Sequence, residues 1–184
     1  VPPTEASVLA MLEGTSRDSQ EVLGIVPPNL DPCTVEKAAI NAVMAGCKPE
    51  YFPVVLAALD ATLDPAFNMH GVLATTMYVG PVFVVNGPIA QRIGMNGKHN
   101  ALGQGNRANL TIGRAVQLII RNVGGGKPGG IDRAALGNPG KLSYCFAEDE
   151  AGSFWRPLST DFGFNEGDNT VTVFAGYGLQ GVVD

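Results

Sequence analysis

Apolar positions along the chain follow a helical period up to about His70 and shorter, strand-like runs after it. In "VEKAAINAVMAG", Val35, Ala38, Ala39, Ala42 and Val43 recur at three- and four-residue intervals, which puts them on one buried helix face. Gly46 suits the end of that helix, and Pro49 suits the first turn of the next. The second helix turns Phe52, Val55, Leu56, Leu59 and Leu63 inward, with Pro53 early enough to be tolerated. A shorter helix is expected from Thr4, whose hydroxyl can cap it, ahead of a proline-terminated connection. Residues 1–30 therefore read as an N-terminal arm or a partner-contacting segment.

Beyond His70, "GVLATTMY" and "PVFVVNG" are short runs of β-branched and aromatic residues bounded by Gly and Pro, and they predict strands. "KLSYCFA" (141–147) alternates, with Leu142, Tyr144 and Phe146 on one face and Ser143, Cys145 and Ala147 on the other. "NTVTVFAG" is a fourth strand. Between them lies a helix from about Asn106 to Val123. Its inner face is Ile112, Ala115, Val116, Ile119, Ile120 and Val123, and Arg114, Gln117 and Arg121 share the opposite face. Helices and strands without strict alternation predict an α/β or α+β fold: one layered domain over residues 1–184, with a short mixed sheet flanked by helices.

Composition narrows the function classes. Of 184 residues, 45% are hydrophobic and only 16% charged, so the chain is globular. So little charge points to an oligomer whose contacts cover apolar surface, or to a lipophilic pocket. A net charge of -5 with scattered basic residues excludes a basic nucleic-acid footprint. No apolar run has the length of a membrane span, and the first residues lack a signal-peptide pattern. Cys33, Cys47 and Cys145 cannot all pair internally and have no metal-ligand spacing, which argues for a reducing cytoplasm and for no bound metal. No cofactor is implied.

Glycine is uneven: half of the 24 lie between Gly94 and Gly140, mostly in two loops either side of the 106–123 helix. The first loop, "NALGQGNRANLTIGRA", contains a formal G-x-G-x-x-A match at Gly103–Ala108. A dinucleotide fingerprint also needs a strand directly before it and an acidic residue about 20 positions on; "MNGKHNAL" is no strand, so a nucleotide fold is rejected. What remains is an anion cradle from Asn100, Gly103, Gly105, Asn106 and Arg107, against the plainer alternative of a capped turn. Cys47, next to Lys48 at a helix start, has the placement of an activated thiolate, although a free cysteine is more often a small buried apolar residue. Glu148, at a strand end in "EDE", can serve as acid, base or metal ligand, although such an acidic cluster is more often a solvated turn, and Cys145 lies three residues before it.

"VEKAAINAVMAGCKPEYFPVVLAAL", "NGPIAQRIGMNGKHNALGQGNRANLTIGRA", "GNPGK" and "CFAEDE" together resemble a bacterial family associated with UGSC- or CGSC-motif (seleno)proteins, over roughly residues 3–175. The resemblance implies a thiol- or selenol-linked enzyme of small-molecule metabolism. The positions that match its pattern are Cys47 and Glu50, Asn86-Gly87-Pro88, Asn100, Gly103–Asn109, and Cys145 with Glu148. This chain has no Cys-Gly-Ser-Cys segment, so any redox pair would come from a separate CGSC-type subunit.

The leading expectation is an enzyme or enzyme subunit with thiol-based lyase or reductase chemistry on a small anionic molecule. Cys47 acts as nucleophile or redox thiol, Glu148 assists proton transfer, and the 103–109 loop binds the anion. The alternatives are a non-catalytic subunit that builds an oligomer, and a metal-dependent hydro-lyase or hydrolase using His70, Cys145 and Glu148.

Overall fold

Thr34 ends one strand and caps the helix that follows, and this hand-over sets the N-terminal half of the computed structural model, which describes residues 1–180. The chain opens with α1 (Glu5–Leu12), capped as expected by the Thr4 hydroxyl, which accepts the Ser7 N–H at 3.3 Å. Val8 and Met11 of α1 are buried against the next helix, so the segment is docked in the core and is not a free arm. The antiparallel hairpin β1 (Val22–Val26) and β2 (Asp31–Thr34) was not foreseen. Its strands are too short to show a period, yet Val26 and Cys33 are fully buried.

Helix α2 (Val35–Ala45) ends at Gly46 in the left-handed region (φ 91°), with the Cys47 N–H returning to the Ala42 carbonyl at 3.0 Å. A 3₁₀ turn at Pro49–Tyr51 then leads into α3 (Phe52–Leu63). The predicted strand "GVLATTMY" is corrected to a helix in its first half, α4 (Met69–Ala74). Asn68 caps it, accepting the Gly71 N–H at 3.1 Å, and Met69, Val72 and Leu73 are buried at helical spacing. Burial on that spacing outweighs the weak strand preference of a few β-branched residues.

The remaining elements are β3 (Gly80–Asn86), α5 (Pro88–Arg92), α6 (Arg107–Asn122), β4 (Cys145–Ala147), α7 (Leu158–Asp161) and β5 (Thr170–Gly176). Strand β3 is buried throughout and lies centrally in the order β4-β3-β5, parallel to β4 and antiparallel to β5. The sheet is thus short and mixed, flanked by helices, an α/β arrangement. Helix α6 packs on β4 and α3 on β5, with α2 against both helices. Close approach of α6 to the β4 segment needs Gly113, where a Cβ would lie 2.6 Å from Ser143 Oγ and 3.2 Å from Cys145 Cβ. The strand predicted over 141–147 shrinks to Cys145–Ala147, because the chain leaves a 3₁₀ turn at Pro139–Lys141 and pairs only with Phe83–Val85. Among the described residues no helix is long and apolar enough to cross a membrane.

Candidate functional site

Parallel pairing brings the C-terminal ends of β3 and β4 side by side, with Val85 opposite Ala147. In α/β sheets this is the edge where ligands bind. Asn86 is the last residue of β3 and Glu148 the first after β4; the Glu148 N–H donates to the Val85 carbonyl at 3.1 Å. Asn86 is 1% exposed, and its Nδ2 donates to two carboxylates, Glu148 Oε2 at 2.6 Å and Glu150 Oε1 at 2.7 Å. Glu148 Oε2 also accepts the Leu158 N–H at 2.9 Å, and Glu150 Oε1 accepts the Gly87 N–H at 2.8 Å. Each carboxylate is anchored through one oxygen. Glu148 Oε1 and Glu150 Oε2 have no hydrogen-bond partner among the described residues.

Gly87 makes the corner after β3 at φ 89°, and a Cβ there would collide with the Asp168 carbonyl oxygen. Beneath the carboxylates, Asn86 Oδ1 is buried with no partner, and so is the hydroxyl of Thr170, its register partner on β5. Beside the two carboxylates lies a cavity of about 330 Å³ lined by Gly87, Met95, Asn96, Lys98, Glu148 and Glu150, among others. Glu148, Asp149 and Glu150 outnumber its single ammonium, the exposed Lys98, which lies 3.9 Å from the half-buried Asp149. The cavity therefore favours proton donors and neutral or cationic polar groups.

The 100–109 stretch answers to a different purpose from the expected cradle. Asn106 caps α6 by accepting the Asn109 N–H at 3.0 Å, while its Nδ2 donates to the Gly94 carbonyl at 2.8 Å. Asn100 takes a left-handed φ of 59° and donates to the Gln104 carbonyl at 3.1 Å, its side chain filling the space over Gly103. Gly105 supplies a φ of 111°. Arg107 donates Nε to the Gly46 carbonyl at 2.9 Å, at the C-terminal end of α2, where a cation is favoured. These side chains brace the loop from within instead of converging on an anion. The loop reaches the site through buried Asn109, whose Nδ2 donates to the carbonyls of Asn96 (2.8 Å) and Ala101 (3.0 Å), fixing Asn96 in the cavity wall.

The thiolate expected at Cys47 is also corrected. Its backbone N–H belongs to the C-terminal cap of α2, the negative end of that helix, and its thiol is buried, donating to the Thr111 carbonyl at 3.3 Å. Burial pushes the Cys47 thiol up to about 11. Cys145, buried in β4, is raised further by burial and by the neighbouring Cys47, and burial also takes Cys33 to about 11. His70 is exposed on α4, and the described residues hold no cluster of three His, Cys, Asp or Glu side chains arranged to bind a metal. His70, Cys145 and Glu148 therefore do not converge.

Asn86 and Glu148, expected from the sequence, do meet; Cys47 and Arg107 are engaged elsewhere. Glu150 and Asn96 were missed. The signal for Glu150 was the Glu-Asp-Glu alternation, since residues two apart on an extended chain share a side. No family model matches the chain, and neither the curated proteins nor the solved structures provide a match.

Proposed function

We propose that this chain is an enzyme, or a subunit of one, that transfers a proton on a small polar molecule held at the C-terminal ends of β3 and β4. The observation that carries this reading is the convergence of two carboxylates on the buried Asn86 amide, each keeping one oxygen free. In this role Glu148 moves the proton, Glu150 holds a second hydrogen bond, and Asn86 fixes both. Thiol-based lyase or reductase chemistry within the chain is the weaker reading, because all three cysteines are buried and their ionisation is disfavoured. The resemblance to the UGSC/CGSC-motif family fits a redox-active partner subunit instead. A reducing, cytoplasmic setting suits three unpaired thiols.

The test is an NMR titration of the isotope-labelled full chain with a panel of small neutral and cationic polar compounds. A saturable shift of the Asn86 side-chain amide and Gly87 N–H, weakened in Glu148→Gln, supports the reading. It fails if no compound moves these resonances while Glu148→Gln and Glu150→Gln change only the melting temperature.

An oligomer-building subunit is the second reading, favoured by one observation. Phe154 and Trp155 are exposed by 104% and 84%, with Phe162 and Phe164 also exposed close by in sequence. Four aromatics left in water along one short segment suit a surface that another subunit covers. Light scattering decides: Phe154→Ser/Trp155→Ser shifts the mass toward a monomer if the segment is an interface, and leaves it unchanged otherwise.

A further inference from the structure

We infer that a second site, formed where the 124–142 glycine loop folds over α6, binds a phosphoryl group. It is independent of the carboxylate site and lies toward the opposite end of β3, near Gly80 and not Asn86. Arg114, Gln117 and Arg121 stand three and four residues apart along α6, so they form one stripe on its polar face. On an ordinary surface helix such a stripe is simply solvated. Here it forms one wall of a cavity of about 260 Å³, with Gly129, Gly137 and Lys141 on the other side.

The roof is fixed in place. The Gly126 N–H donates to the Ile120 carbonyl at 3.0 Å, the Arg133 N–H to Leu73 and the Ala135 N–H to Thr76, both at 2.9 Å, and Asn138 Nδ2 donates to the Tyr78 carbonyl. Lys141 is held by Asp132 at 2.7 Å, with both side chains largely buried. A Cβ on Gly80 would lie 3.2 Å from Lys141 Cγ and 3.8 Å from Gln117 Nε2, so lysine and amide meet at the start of β3.

Two features give the ligand its chemistry. Neither Arg114 nor Arg121 is in an ion pair among the described residues. Three cations against the single carboxylate of Asp132 leave about two positive charges, in a chain whose net charge is -5. A phosphate monoester carries roughly -1.5 to -2 at neutral pH and offers acceptor oxygens to both guanidinium forks. A single carboxylate would neutralise only half of the excess.

The experiment titrates inorganic phosphate into the full chain at constant ionic strength, with chloride and succinate as parallel arms, and follows the Gln117 side-chain amide by NMR. Phosphate is expected to shift it saturably, chloride not at all, and succinate more weakly. Arg114→Gln and Arg121→Gln should each weaken binding by roughly tenfold or more. Arg156→Gln, at a largely exposed arginine elsewhere, should bind as the parent does. The proposal is overturned if chloride acts like phosphate, if succinate binds and phosphate does not, or if Arg156→Gln weakens binding as much as the cavity variants. Should both cavity variants fail to fold by circular dichroism, the phosphate and chloride arms on the parent chain still decide.

Discussion

Asn109 holds Asn96 by both of its backbone atoms: Oδ1 accepts the Asn96 N–H at 3.1 Å, and Nδ2 donates to the Asn96 carbonyl at 2.8 Å. One side chain here does what a neighbouring strand does in a sheet, and a third bond, to Ala101, ties down the far side of the loop. The glycine-rich approach to α6 is thus held by polar bonds to a helix, while its own residues are mostly exposed.

Asn109→Ala removes all three bonds; the Asn96 carbonyl keeps the Ala147 N–H at 3.4 Å, while the Asn96 N–H and the Ala101 carbonyl lose their partner. The expected cost is about 2–4 kcal/mol, above that of one ordinary hydrogen bond because three are lost together. Urea denaturation gives the total, and hydrogen exchange should place the loss of protection at residues 96–101. A loss below about 0.5 kcal/mol, with the loop still protected, would contradict the bracing role.

At Asn86 the sharpest change is to Asp, which conserves shape but sets a third carboxylate against Glu148 and Glu150 at a position 1% exposed. Repulsion and burial both favour the protonated form of the new side chain in the folded state. Its folded-state ionisation is therefore raised, so the variant is least impaired at low pH and loses stability as pH rises. At pH 7 the deficit is expected to be at least about 3 kcal/mol, shrinking toward pH 5. Chemical denaturation across that range checks it; a deficit that does not vary with pH would show that the carboxylates are not charged neighbours of Asn86.

Cys47 should be inert in the native protein. With its thiol raised to about 11, on the order of one molecule in several thousand carries a thiolate at pH 7.5. Linkage gives the accompanying sign. The unfolded chain loses this proton near the ordinary value of 9.0 and the folded chain only near 11, so the contribution is complete below pH 9 and declines from there to pH 11. Its size is about 2–3 kcal/mol. Cys47→Ala should therefore flatten the fall in stability between pH 9 and 11, and native alkylation should run far slower than for the denatured chain. Rapid native labelling of Cys47 would restore the thiolate reading.

Gly87→Ala tests the corner of the carboxylate site. The added methyl meets the Asp168 carbonyl and must hold a φ of 89°, so about 2–4 kcal/mol should be lost. Gly94→Ala is the control: its φ of 71° is also left-handed, yet nothing lies within 4 Å of the new Cβ, and the loss should stay near 1 kcal/mol. Equal losses in the two thermal melts would mean that backbone conformation alone, and not the contact with Asp168, demands Gly87.

The long helices were legible because burial on one face leaves a period that local sequence carries by itself: Ile112, Val116, Ile119 and Ile120 are as buried as their spacing predicts. Caps were legible for the same reason, since Thr4, Gly46 and Asn106 act on groups within a few residues of themselves. Short elements were not. A six-residue helix such as α4 and the β1–β2 hairpin hold too few residues to establish a period, and packing from elsewhere decides their form.

At the sites the division is sharper. Residue types alone marked Glu148 as a candidate acid or base and showed that Arg107, Asn100 and Asn106 are polar groups gathered near a helix start. Only the tertiary structure decided where each is spent. Parallel pairing of β3 with β4 set Asn86 beside two carboxylates more than sixty residues away. The end of α2 took Arg107 across a separation of 61 residues. Burial made Cys47 a poor thiolate despite the lysine beside it. A side chain's partners and its exposure depend on chain segments distant in sequence, and no local pattern records them.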